Sequence, residues 1–162
     1  MTEEKHTISL LVENTPGVLS RIAGLFSGRG FNIESICAAP TMDRLVTRIT
    51  LVTRGDESIM EQINKQLNKL VNVIKVQDLT ETDFVEREMA LVKVKAEAKN
   101  RAEILRLVDI FRCKVVDVTP THYTLEVTGT AEKLTALLDL LKSMGIKEIA
   151  RTGSIAMTRE KK

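Results

Sequence analysis

The sequence predicts an α+β chain made of two tandem βαββαβ repeats, each an antiparallel sheet with two helices. Three observations carry that reading. Period-2 alternation and helical spacing follow one another in the order strand, helix, strand, strand, helix, strand, and then do so again. At 162 residues the chain has room for one ordinary domain or two small ones. A polar, acidic stretch, Leu79 to Glu86, lies between the two runs. The expected organisation is a first domain over 1–79, a linker over 80–87 and a second domain over 88–162.

In the first repeat, Thr7 to Glu13 alternates, with Ile8, Leu10 and Val12 on one side and Thr7 and Ser9 on the other. That is a half-buried strand. Asn14, Thr15, Pro16 and Gly17 break the pattern, with Thr15 expected as the N-cap and Pro16 at the first helical position. Val18, Leu19, Ile22, Ala23 and Phe26 follow at helical spacing, and Gly28 and Gly30 close the helix. Phe31 to Ala38 reads as the second strand, Pro40 to Arg44 as a turn, and Leu45 to Thr53 as the third strand. Asp56 is placed to cap a helix whose buried stripe is Ile59, Ile63, Leu67 and Leu70. Val71 to Asp78 supplies the fourth strand. This is the ferredoxin-like order.

The second repeat opens with a strand over Met89 to Ala96. Asn100-Arg101-Ala102-Glu103 resembles a capping box ahead of Leu105, Val108 and Phe111. Lys114 to Val118 and Tyr123 to Val127 flank Thr119-Pro120-Thr121 as a hairpin. Leu134, Leu137, Leu138 and Leu141 make the fourth helix, stopped at Gly145. Ile146 to Met157 closes the sheet with a break at Gly153, and the charged tail from Arg159 to Lys162 is expected to fray.

Composition narrows the function classes. Aromatics are only 3%, so the core must be aliphatic. Residues 1–80 hold nine basic and nine acidic side chains and the remainder fifteen and thirteen, so neither half is a polyanion-binding block. The strands offer only Phe31 and Tyr123 for base stacking, which argues against RNA binding. The two histidines, His6 and His122, fall in different repeats with no nucleophile grouped near either. Both read as surface residues, His6 near a disordered end. No P-loop, dinucleotide fingerprint or zinc spacing is present. Cys37 and Cys113 are isolated thiols. No apolar run is long enough to span a membrane, and the acidic N-terminus makes a poor secretory signal. A cytoplasmic, non-catalytic protein is expected, with no metal and no cofactor of its own.

Each sheet would carry both helices on one face, leaving the other, with Leu11, Thr50 and Val52 in the first repeat, to be covered. The sheet edges are also open. Two repeats of this size are small for independent stability. A homodimer or higher homo-oligomer is therefore expected, with a ligand site near its interface.

The turn after the first strand has the chemistry of a small-ligand site. A helix N-terminus presents unpaired N–H groups and partial positive charge to a carboxylate. Gly17 lets a ligand approach the backbone. The amides of Asn14 and Asn32 both donate and accept, which suits an ammonium group beside a carboxylate. The same residues also describe a plain strand-to-helix turn and a strand start, and chemistry alone favours that simpler description.

The stretch ENTPGVLSRIAGLFSGRGFNIESICAAP, from Glu13 to Pro40, resembles the opening of an ACT domain, a regulatory module that binds amino acids. GDESIMEQINKQLNKLVNVIKV, VEREMALVKV, VDIFR, VVDVTP and ARTGSIAM follow in the order found in the regulatory (small) subunit of acetolactate synthase. The resemblance covers nearly the whole chain. It implies a non-catalytic partner of a large catalytic subunit that carries thiamine diphosphate, Mg and FAD. That subunit condenses pyruvate with pyruvate or 2-oxobutyrate in branched-chain amino-acid synthesis. The small subunit stimulates it and confers feedback inhibition, usually by valine. By the same resemblance the ligand positions are Asn14, Gly17, Val18, Leu19, Asn32 and Ile33, the last two reaching the pocket from across a dimer interface. A small residue before the glycine in the family pattern is met here by Pro16. The alternative is a free-standing tandem ACT-like sensor acting on a different enzyme.

Overall fold

The computed structural model describes residues 4–160. These residues divide into two units, one comprising residues 4–85 with 154–160 and the other residues 86–153.

In the first unit, β1 (Glu4–Glu13), α1 (Val18–Ser27), β2 (Ile33–Pro40), β3 (Val46–Gly55), α2 (Glu57–Asn68) and β4 (Val73–Asp78) follow in the expected order. The sheet order is β2-β3-β1-β4, all antiparallel. The register pairs Ile8 with Leu51 and Leu10 with Ile49, so one face of both central strands is aliphatic. Val18, Ile22, Leu25 and Phe26 of α1 and Met60, Ile63 and Leu67 of α2 pack on that face. Asp56 caps α2 as expected, its carboxylate accepting from the Ile59 N–H at 2.9 Å.

The second unit repeats the plan with β5 (Phe84–Lys95), α3 (Arg101–Phe111), β6 (Lys114–Val118), β7 (His122–Gly129), α4 (Ala131–Lys142) and β8 (Ile146–Arg151). Its sheet order is β6-β7-β5-β8. Val92, Val94, Leu125 and Val127 form the sheet side of a core closed by Ile104, Leu107, Leu134, Leu137 and Leu141. The final strand, β9 (Ile155–Thr158), stands outside that order. Two ferredoxin-like domains are thus present.

Several local expectations are corrected. Pro16 and Gly17 form a type II turn: Gly17 has φ 87° and ψ −9°, and the Val18 N–H reaches the Thr15 carbonyl at 3.5 Å. Gly17, not Thr15, is therefore the N-cap of α1, because the Pro-Gly pair satisfies the turn before the helix can begin. In α3 the buried stripe is Ile104, Leu107 and Val108, whereas Leu105 is 45% exposed. Asn100 donates its side-chain amide to the Lys95 carbonyl at 3.1 Å and leaves the helix uncapped, so no capping box forms. His6 lies within β1, mostly buried, 3.5 Å from the Asp78 carboxylate rather than at a free end.

The boundary stretch also differs from a simple linker. Leu79 is buried, its N–H donating to the Thr7 carbonyl at 2.8 Å, and β5 already begins at Phe84. Residues 154–160 join the first unit instead of the second. There β9 lies against β1, and Thr7, Ser9, Thr50 and Val52 on the second face of the first sheet are all buried. Arg159 donates its N–H to the Asp83 carbonyl at 2.8 Å, so the tail is tied down at least that far. The rest of the expected fraying, at 161–162, lies outside the described residues.

Candidate functional site

The β1–α1 turn is built rigidly. The Glu13 N–H donates to the Asn72 carbonyl at 2.9 Å and the Asn14 N–H to the Leu45 carbonyl at 2.7 Å. Arg21 donates to the Asn72 side-chain oxygen at 2.8 Å, and the Asn72 amide donates in turn to the Glu13 carboxylate at 2.6 Å. The Asn14 amide nitrogen donates to the Arg44 carbonyl at 2.9 Å. That bond takes one of the two amide N–H donors and fixes which end of the amide faces Arg44, leaving the Asn14 side-chain oxygen able to accept from a ligand.

Behind this turn lies a cavity of about 250 Å³. Val12, Val18, Leu19, Ala38 and Ile49 give it apolar walls, while Glu13, Asn14, Thr15 and Thr47 supply its polar groups. An apolar pocket with a few convergent polar groups at one end suits a small amphipathic molecule. The N-terminus of α1 opens beside it. That helix has no side-chain cap and no acidic residue in its first turn, whereas α2 and α4 have Asp56 with Glu57 and Thr130 with Glu132. No acidic side chain in α1's own first turn offsets its N–H groups, and a ligand carboxylate fits that deficit.

Of the six positions expected from the sequence, Asn14, Val18 and Leu19 line the cavity. Gly17 sits in the adjoining turn, fully open on its Cα side, since a Cβ built there meets nothing within 4 Å. Asn32 and Ile33 stand elsewhere. Ile33 pairs with Thr53, six residues along β3 from the cavity's Thr47, about 20 Å at strand spacing. Asn32 is exposed, its carbonyl accepting from the Thr53 hydroxyl at 2.6 Å, and Ile33 packs against the core. One chain by itself does not bring these two to the cavity.

Sequence reasoning missed the wall from β2 and β3, namely Ala38, Thr47 and Ile49, and the acid Glu13. Glu13 could have been singled out as a carboxylate next to the Asn14 amide. The β2 and β3 positions carry no chemical signature and are found only by register. A larger cavity of about 760 Å³, lined by Glu4, His6, Asp56, Glu61 and Asp78 among others, contains none of the expected site residues.

Comparison with known proteins places the whole chain. Residues 8–75 match the family model of the AHAS small subunit-like ACT domain, and residues 87–160 match that of the small subunit of acetolactate synthase. A probable acetolactate synthase small subunit from Archaeoglobus fulgidus is 51% identical, over 98% of this chain and 99% of that protein. The acetolactate synthase small subunit of Mycolicibacterium smegmatis is 50% identical, over 95% of this chain and 91% of its own length. The crystal structure of the acetolactate synthase small subunit from Thermotoga maritima superposes with a TM-score of 0.87 at 43% identity, covering 98% of this chain and 99% of that one. With half its residues shared with such relatives end to end, and an ACT domain at its head, the chain belongs to the acetolactate synthase small-subunit family.

Proposed function

We propose that this chain is a regulatory subunit without catalytic activity of its own. It binds the large subunit of acetolactate synthase, stimulates it, and makes it sensitive to a branched-chain amino acid, with valine as the first candidate. Thiamine diphosphate, Mg and FAD belong to that large subunit. Family membership supports the choice of partner, since a small subunit needs a large one. The observation that carries the effector is the cavity at the β1–α1 turn. Its apolar walls suit an aliphatic side chain, the Asn14 oxygen and the Glu13 carboxylate suit an ammonium group, and the uncapped α1 suits a carboxylate.

A second copy of the chain accounts for Asn32 and Ile33. β2 is an edge strand with one side unpaired in the sheet order. If two copies join β2 to β2 in antiparallel fashion, the start of one strand meets the end of the other. Asn32 and Ile33 of the second copy then face the Ala38–Pro40 wall of the cavity. Such pairing also removes an exposed edge.

Reconstitution tests the proposal. The purified chain alone should turn over no pyruvate, should raise the activity of the large subunit on mixing, and should make the mixture sensitive to valine. Failure to associate with the large subunit while still binding valine would point to a free-standing sensor of another enzyme.

A further inference from the structure

We infer that Ala38 sets the size of the aliphatic side chain that the cavity accepts, an inference that rests on the proposed amino-acid site. In register, Ala38 lies opposite Ile49, which in turn pairs with Leu10, so the three share the helix-bearing face of the sheet. Ile49 and Leu10 are fully buried there. On the same face of β2, two residues earlier, Ile36 pairs with Leu51 and carries a large side chain. At Ala38 only a methyl group projects, and the cavity occupies the space above it, between β2 and the first turn of α1. Val12, Val18 and Ile49 close the other sides, and Val18 and Ile49 are held by the core. Ala38 lies on the edge strand β2 and is exposed, as are Ala39 and Pro40 beside it, and unlike Val12, Val18 and Ile49 it is not part of the core, so it can be enlarged without displacing a core neighbour.

The two extra methyl groups of Ala38→Val would therefore fill the end of the cavity where a ligand's branch must sit. The polar groups that hold the ammonium and carboxylate, on β1 and α1, stay in place. Selectivity should move and general binding should not, because a missing or surplus methylene in an apolar pocket changes discrimination by about tenfold or more.

The test is calorimetric titration of 2-aminobutyrate, valine and leucine into the full chain, its Ala38→Val variant and an Ala38→Ser control of nearly unchanged size. In wild type, valine should bind more tightly than 2-aminobutyrate. In Ala38→Val the ratio of valine to 2-aminobutyrate affinity should fall about tenfold, with leucine falling at least as far. Ala38→Ser should keep the wild-type ratio. Equal loss for all three ligands in Ala38→Val, or an unchanged ratio, overturns the size role while leaving the site itself standing. If wild type binds none of the three, the amino-acid site fails and this inference fails with it.

Discussion

The side-chain amide of Asn14 donates to the backbone carbonyl of Arg44 at 2.9 Å, tying the β1–α1 turn to the β2–β3 turn. This bond takes one amide N–H and leaves the side-chain oxygen of a cavity-lining asparagine able to accept. Asn14→Ala removes both the tie and the acceptor. A hydrogen bond to a charged ammonium contributes about 1.5–3 kcal/mol, so valine affinity should fall at least tenfold. Stability should change by less than about 1 kcal/mol, because the side chain is exposed. Calorimetry and urea unfolding of the same preparation separate the two effects.

Gly17 offers a second test. Its φ of 87° lies in the left-handed region, where an L side chain costs about 1–2 kcal/mol, although no atom obstructs a Cβ. Gly17→Ala and Gly17→Asp should therefore lose similar stability in urea unfolding. They should part company in binding. Aspartate brings a carboxylate to the α1 N-terminus, where it takes the ligand's place, so its valine affinity should be far below that of the alanine variant.

In the second unit, Glu88 is buried and receives two bonds from Arg151, at 2.6 and 2.9 Å. The hydrogen bond to Glu88 also raises the pKa of the Arg151 guanidinium. Arg151 is 43% exposed, so the two partners are not equivalent. Arg151→Ala strands a buried carboxylate and should cost on the order of 2–4 kcal/mol, below the full buried-pair value because one member is partly solvated. Glu88→Gln leaves a guanidinium that can turn to water and should cost less. Equal losses in thermal or urea unfolding would contradict this asymmetry.

Burial pushes the Cys113 thiol pKa up, with nearby Lys133 offsetting only part of the rise. The folded state therefore holds this proton more tightly than the unfolded state. The associated stability is complete below the unfolded thiol's pKa and is lost as pH rises through the folded value. At pH 8 the native chain should alkylate at Cys113 with iodoacetamide more slowly than the urea-unfolded chain, measured by mass spectrometry of the labelled peptide.

Much of the architecture was legible in the sequence because its signals are local and strongly periodic. Ile8, Leu10 and Val12 alternate, Asp56 precedes a helical stripe, and Gly145 ends α4 with φ 94°. The misreadings arose where two local rules compete or where a distant segment decides. Pro16-Gly17 obeys both helix-start and type II turn chemistry, and the turn prevailed. Leu105 and Leu107 are equally apolar, and only packing on the sheet selects Leu107. The burial of Thr7, Ser9 and Thr50 accompanies the return of β9 to β1, some 150 residues along the chain, which no local pattern encodes. The polar half of the site was readable from Asn14 and Pro-Gly. Its wall from the sheet comes from Ala38, Thr47 and Ile49, which look like any strand residues until register brings them beneath α1.

The central claim is that a branched-chain amino acid binds at the β1–α1 turn, and calorimetric titration of valine, leucine and isoleucine into the purified full chain addresses it directly. The account predicts saturable binding of at least one of the three, lost in Gly17→Asp and weakened in Asn14→Ala. Absence of binding by all three, or wild-type affinity in a folded Gly17→Asp variant, would contradict it.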